Sequence, residues 1–170
     1  MRRALFAGVL PAITAFAALL PVCPAQAREP VPWPTPALPG TYPARLCGFP
    51  VDVAAITNNE YQDVTTLADG TTITRITGNL VVSWKNDITG KTIVRHLSGP
   101  TTTTVHPDGT GTAVGEGLNF WTFGPVSQMN TGEPGIVFTS GRAVIGFSGI
   151  FAESFSLSGT QVNACALLAG

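Results

Sequence analysis

Thr71-Thr72-Ile73-Thr74-Arg75-Ile76-Thr77-Gly78-Asn79-Leu80-Val81-Val82-Ser83-Trp84-Lys85 is the stretch on which the fold turns. Ile76, Gly78, Leu80, Val82 and Trp84 alternate with Arg75, Thr77, Asn79, Ser83 and Lys85, and Val81 breaks the pattern. Successive side chains of an extended chain point to opposite faces, so the segment reads as a long strand with one buried face. Gly78, at its middle, is where such a strand bends or bulges.

Turn signals bracket this strand and recur along the chain. Asp69-Gly70 precedes it, Asn86 to Gly90 follows it, and His106-Pro107-Asp108-Gly109 marks a later hairpin. Between such turns the sequence predicts strands over residues 50–55, 60–67, 91–97, 101–105, 111–123, 136–140, 142–147 and 151–157. In one of them Gly111, Ala113, Gly115 and Gly117 leave a face almost bare, which implies close backbone approach or sharp coiling. Residues 124–135 read as a loop that could form a rim or lid. Residues 161–168 read as a short helical turn. No sustained helical periodicity and no fixed-period repeat is present. The expected fold is all-β: a single antiparallel up-and-down β-barrel of seven to nine strands, with a β-sandwich as the alternative.

Composition agrees with this class. The chain has 170 residues, only 11% of them charged, with 19 Gly, 14 Pro and 22 Thr. Met1-Arg2-Arg3, the apolar run Ala4 to Leu20 and Ala25-Gln26-Ala27 predict a signal peptide over residues 1–27, cleaved between Ala27 and Arg28. Without it, 7 Lys and Arg face 10 Asp and Glu, a net charge of −3. No basic surface neutralises phosphates, so nucleic acid is excluded as a partner. Residues 28–46 are proline-rich and are expected to be an extended arm, neither helix nor ladder strand, carrying Trp33. Residues 47–170 then form a single β-domain. Signal removal takes Cys23 and leaves Cys47 and Cys165, a pair expected to form a disulfide between the ends of the domain in an oxidising, extracellular setting. No membrane span is expected after cleavage.

Cys47-Gly48-Phe49-Pro50-Val51, the run Thr77 to Val82, the Asp-Gly turns and the late Cys165 resemble a group of small secreted actinobacterial proteins of unassigned function. That resemblance implies an exported, disulfide-closed β-domain and carries no activity with it. The outline is also similar to lipocalin-like and allene-oxide-cyclase-like barrels, although the Gly-x-Trp signature of lipocalins is missing.

Motifs for catalysis are sparse. His96 and His106 are the only histidines, too few to advertise a metal site, and His106 belongs to a turn motif. No Gly-x-Ser-x-Gly elbow and no phosphate-cradling loop occurs, so neither catalytic residues nor a cofactor are assigned. Charges on apolar faces are the sharper signal. Glu153 lies between Phe151 and Phe155, and Arg95 between Ile93 and Leu97. If both strands alternate strictly, the two charges point inward, to pair with each other or to anchor a ligand's polar end, with Trp84 as a further wall residue. A bulge would instead turn either one to solvent. The leading expectation is a secreted, non-enzymatic barrel that binds a small apolar ligand or a partner. A barrel-cavity isomerase or cyclase using Glu153, Glu60 or Asp63 as general base is the second, and a structural or interaction role at the cell envelope is the third. A hollow interior separates the first two from a merely structural domain.

Overall fold

The computed structural model describes residues 29–31 and 40–170; the expected signal peptide, its cleavage site and Trp33 lie outside the described residues. Nine antiparallel strands form one sheet among them: β1 (Glu29–Pro30), β2 (Thr41–Tyr42), β3 (Val51–Thr66), β4 (Thr72–Asn86), β5 (Thr92–Leu97), β6 (Thr101–Val105), β7 (Thr110–Thr122), β8 (Ile136–Ser148) and β9 (Phe151–Asn163). Two short helices complete the domain, α1 (Pro125–Thr131) and α2 (Ala164–Ala169). The all-β expectation holds, and α2 overlaps the expected C-terminal helical turn over residues 164–168, starting three residues later and ending one residue later.

The alternation of the decisive strand is realised in β4, where Leu80, Val82, Trp84 and Asn86 are buried. They face Val51 and Val53 of β3 through the pairs Val51↔Asn86 and Val53↔Trp84. The two expected strands over residues 50–55 and 60–67 are one continuous strand. A bulge between Ala55 and Thr57 leaves Ile56 as the extra residue, 60% exposed. An inserted residue reverses the alternation, so the inward set changes from Val51, Val53 and Ala55 to Asn58 and Glu60.

Sheet order runs β3-β4-β6-β7-β8-β9, with β1 and β2 on the outer edge of β3. β5 and β6 share one edge of β4 end to end: β5 pairs with Leu80 to Lys85 and β6 with Thr72 to Ile76. β7 pairs with β6 only as far as Gly115, so its second half has no strand beside it on that side. No ladder joins β3 to β9 among the described residues, so the nine-stranded antiparallel sheet is not closed by backbone pairing. α2 packs on β4, β5 and β8. Its N-terminus is capped by Asn163, whose side chain accepts from Ala166 N, and its end is held by Asn86 Nδ2 donating to Leu168 O at 3.1 Å. Cys165 of α2 is disulfide-bonded to Cys47, with 5.1 Å between the Cα atoms.

A row of glycines crosses β7, β8 and β9. Gly117, Gly141 and Gly159 are paired across β7, β8 and β9 and have φ of +77°, +120° and +151°. L-residues with side chains rarely adopt such angles, so a corner crossing three strands needs Gly in each. The bare face of β7 is also explained by close approach: a Cβ on Gly115 would lie 2.5 Å from Trp121 Cζ2. Two cores result. The larger joins Trp84, Val82 and Leu80 to Ile136, Phe138, Ala164 and Leu168, with Trp84 edge-on to Phe138 at 4.8 Å between ring centroids. The smaller holds Phe123, Val137, Ile145 and Ala152.

Two local expectations are corrected. The proline arm does contribute ladder strands, as Glu29–Pro30 and Thr41–Tyr42 both pair with β3. Proline is tolerated there because each sits on a sheet edge, where a missing N–H costs no ladder bond. Tyr42 is buried, and burial pushes its hydroxyl well above the usual tyrosine range despite a hydrogen bond with Thr122. The expected loop over residues 124–135 contains α1, with Pro125 in the first turn and Gly132 closing it in the left-handed conformation. α1 covers part of the exposed edge of β9: Ser127 Oγ accepts from Ala152 N and Asn130 Nδ2 donates to Ala152 O.

Cys47 and Cys165 are 118 residues apart, so in the chain-entropy picture their bond is worth about 4 to 5 kcal/mol. The Cys47→Ser/Cys165→Ser variant is expected to lose that stability in a denaturant titration, and an unchanged midpoint would contradict it. Gly141→Ala is expected to cost about 1 to 3 kcal/mol by forcing a strained φ, read as a lowered thermal midpoint.

Candidate functional site

The split edge of β4 leaves a hollow. A cavity of about 280 Å³ lies between Asn58 and Glu60 of β3, Ile76 and Leu80 of β4, Thr101 and Thr103 of β6, and the unpaired half of β7 from Asn119 to Thr122. Leu97 and Gly99 line it where the chain crosses from β5 to β6, and Val31 of the arm closes another side. Most of the lining surface is apolar, with polar side chains from β3, β6 and β7 set into it, the ordinary make-up of a small-molecule site.

Each polar group is placed by its strand. The β3 bulge turns Asn58 and Glu60 to the cavity face, opposite Leu80 and Gly78. Gly78 has φ +140°, and a Cβ there would stand 2.7 Å from the Glu60 Cα, so the bend expected at this glycine is also what admits Glu60. Asn58 fastens the arm: its Nδ2 donates to Val31 O at 3.0 Å and its Oδ1 accepts from Glu60 N at 3.1 Å, while Val31 N donates to Glu60 O at 3.0 Å. On the far wall Thr101 Oγ1 donates to Asn119 Oδ1 at 3.0 Å, and Asn119 Nδ2 donates to Glu116 O. Trp121 Nε1 donates to Thr139 Oγ1 at 3.1 Å, which holds its ring in place.

Among the described residues Glu60 is the one charged side chain in the wall. It is half-buried, and removal from water pushes its carboxyl above the usual range. Among the described residues no hydrogen-bond donor and no cation partners that carboxylate.

The residues singled out from sequence fall in different places. Trp84 is fully buried in the larger core and does not line the cavity; its Nε1 has no partner among the described residues. Arg95 lies in register with inward-facing Val82, yet it is exposed, at the rim of a second, smaller groove of about 140 Å³ between β5 and β7–β9. Its guanidinium stands over the Phe138 ring at 5.5 Å, and Nη1 donates to Val94 O. Glu153 is exposed because a bulge interrupts the β8–β9 register: Gly146 pairs with Ser154 and Phe147 with Ala152, leaving Glu153 over. Asn130 Nδ2 donates to its Oε2 at 3.1 Å. No ion pair joins Arg95 and Glu153. Asp63 is in register with Arg75 and points away from the cavity face. His106 opens the β6–β7 hairpin turn, in which Asp108 Oδ1 accepts from both N and Oγ1 of Thr110 and is thereby held below the usual carboxylate range. No group of three or more His, Cys, Asp or Glu suited to a metal ion occurs among the described residues. Asn58, Thr101, Asn119 and Trp121 went unread from sequence. The break of alternation at Ala54-Ala55-Ile56 was the one available signal for the first.

A carboxyl whose pKa rises on folding binds its proton more tightly in the folded state. Stability therefore declines as pH climbs from the ordinary Glu range through the raised value. Glu60→Gln is expected to flatten that decline in urea midpoints measured from acid to neutral pH, and an identical slope in the variant would contradict the burial of the carboxyl. No family model, curated protein or solved structure matches the chain, so a functional reading stands on the geometry of the cavity.

Proposed function

We propose that the protein is an exported binding protein, a barrel-like β-domain that holds a small, largely apolar molecule in the Glu60 cavity. The observation that carries this reading is the hollow of about 280 Å³ behind the split edge of β4, walled mainly by Ile76, Leu80, Leu97, Phe120 and Trp121. The hollow is partly open to solvent and brings apolar walls together with a few polar groups, the make-up of a small-molecule site. Export is supported by the disulfide, a bond that persists in oxidising compartments, and by the signal-like first 27 residues. No helix among the described residues is long and apolar enough to cross a membrane.

One observation favours the enzyme reading as an alternative. Glu60 is a desolvated carboxyl facing an apolar cavity, the setting in which a general base gains strength. It stands without a second acid–base group in the wall, which makes binding the better-supported function.

Titration with the neutral dye N-phenyl-1-naphthylamine, followed by its fluorescence, tests the binding reading. Saturable one-to-one binding is expected, and Thr103→Phe, which places a ring in the cavity, is expected to weaken it roughly tenfold or more while leaving the thermal midpoint near that of the parent. Absence of saturable binding, or binding indifferent to Thr103→Phe, would overturn it.

A further inference from the structure

We infer that the occupant of this cavity is a small organic cation, an apolar body ending in a protonated amine or quaternary ammonium, with Glu60 as its counter-ion. The inference rests on the binding function proposed above and names its ligand class.

Charge inventory is the first argument. Among the described residues no Lys, Arg or His lines the wall, and Glu60 is the one ionisable side chain that does. Nearby on the same face of the sheet, Glu29 of β1 is in register with Gln62, the next inward residue of β3, and adds a second negative group toward the arm side. An anionic ligand would meet repulsion with no compensating donor, and a neutral apolar one would leave the carboxylate desolvated and unpaired. A cation supplies the missing partner.

Satisfaction of the other polar groups is the second. Asn58 is committed at both ends to Val31 and Glu60, Thr101 and Asn119 bond each other, and Trp121 Nε1 is bonded to Thr139. The Thr103 hydroxyl is neutral, so among the described residues Glu60 is the wall group with unmet charge, and when ionised it offers acceptors alone. The third is the aromatic wall. Phe120 and Trp121 are both among the lining residues, and an aromatic face attracts a cation over a neutral or anionic group. Leu80, Leu97 and Ile76 remain to cover the apolar body.

Four ligands with one tail and different heads separate the possibilities: n-octylamine, octyltrimethylammonium, 1-octanol and octanoate, each competed against N-phenyl-1-naphthylamine at neutral pH. The two cations are expected to displace the dye at roughly tenfold lower concentration than octanol, with octanoate weakest. Glu60→Gln is expected to remove that preference while octanol and the dye bind as before, which also shows that the variant is folded. Octanoate equal to or better than octylamine, heads without effect, or a cation preference that survives Glu60→Gln would each overturn the inference while leaving the binding function standing. Failure of the dye and all four ligands to bind would remove both.

Discussion

An open sheet curled on itself must be held shut by something other than its own ladder, and here that constraint falls on the junction between α2 and the start of β3. β3 and β9 never pair, so the ends of the curl meet through the Cys47–Cys165 bond, the Asn86–Leu168 hydrogen bond and the burial of Ala164 and Leu168 against Val51, Val82 and Trp84. Covalent closure suits such a junction. A sheet gains cooperativity from continuous pairing, and where pairing stops the chain entropy of the free ends has to be restrained by another bond.

The hollow follows from how the strands share edges. β5 and β6 divide one side of β4 between them, and β7 pairs with β6 but not with β5, so the second half of β7, still paired with β8, has no ladder toward β4. The gap is not filled from below, because the β6 side chains there are threonines and Gly99 has none. The same region receives the bulge of β3, which reverses the strand's faces at the point where a carboxylate can enter the wall. A single inserted residue thus decides whether Asn58 and Glu60 look into the cavity or into water.

Strand existence was legible in the chain to a large degree. The alternation from Ile76 to Trp84, the Asp-Gly turns and the bare face of β7 each correspond to an observed feature, because period two and turn chemistry are local properties. The reading failed where a one-residue insertion changed parity. Strict alternation would point Glu153 inward and a bulge would turn it out, and the bulge opposite Gly146 and Phe147 is what the structure has. Arg95 kept its register and is nonetheless exposed, because β5 lies at the split in the sheet rather than in its middle. Trp84 was placed on the right face, but that face belongs to the packed core at its position and to the cavity only near Leu80.

The sequence by itself determined the class of the domain, its turns and the partner of Cys47, since one other cysteine remains once the signal-like segment is set aside. Tertiary structure alone decided that β5 and β6 share an edge, that α2 stands where a closing ladder was expected, and that Glu60 rather than Glu153 faces a hollow. The physical reason is that alternation and turn propensity act over a few neighbouring residues, whereas bulges, split edges and cavities arise from how distant strands meet.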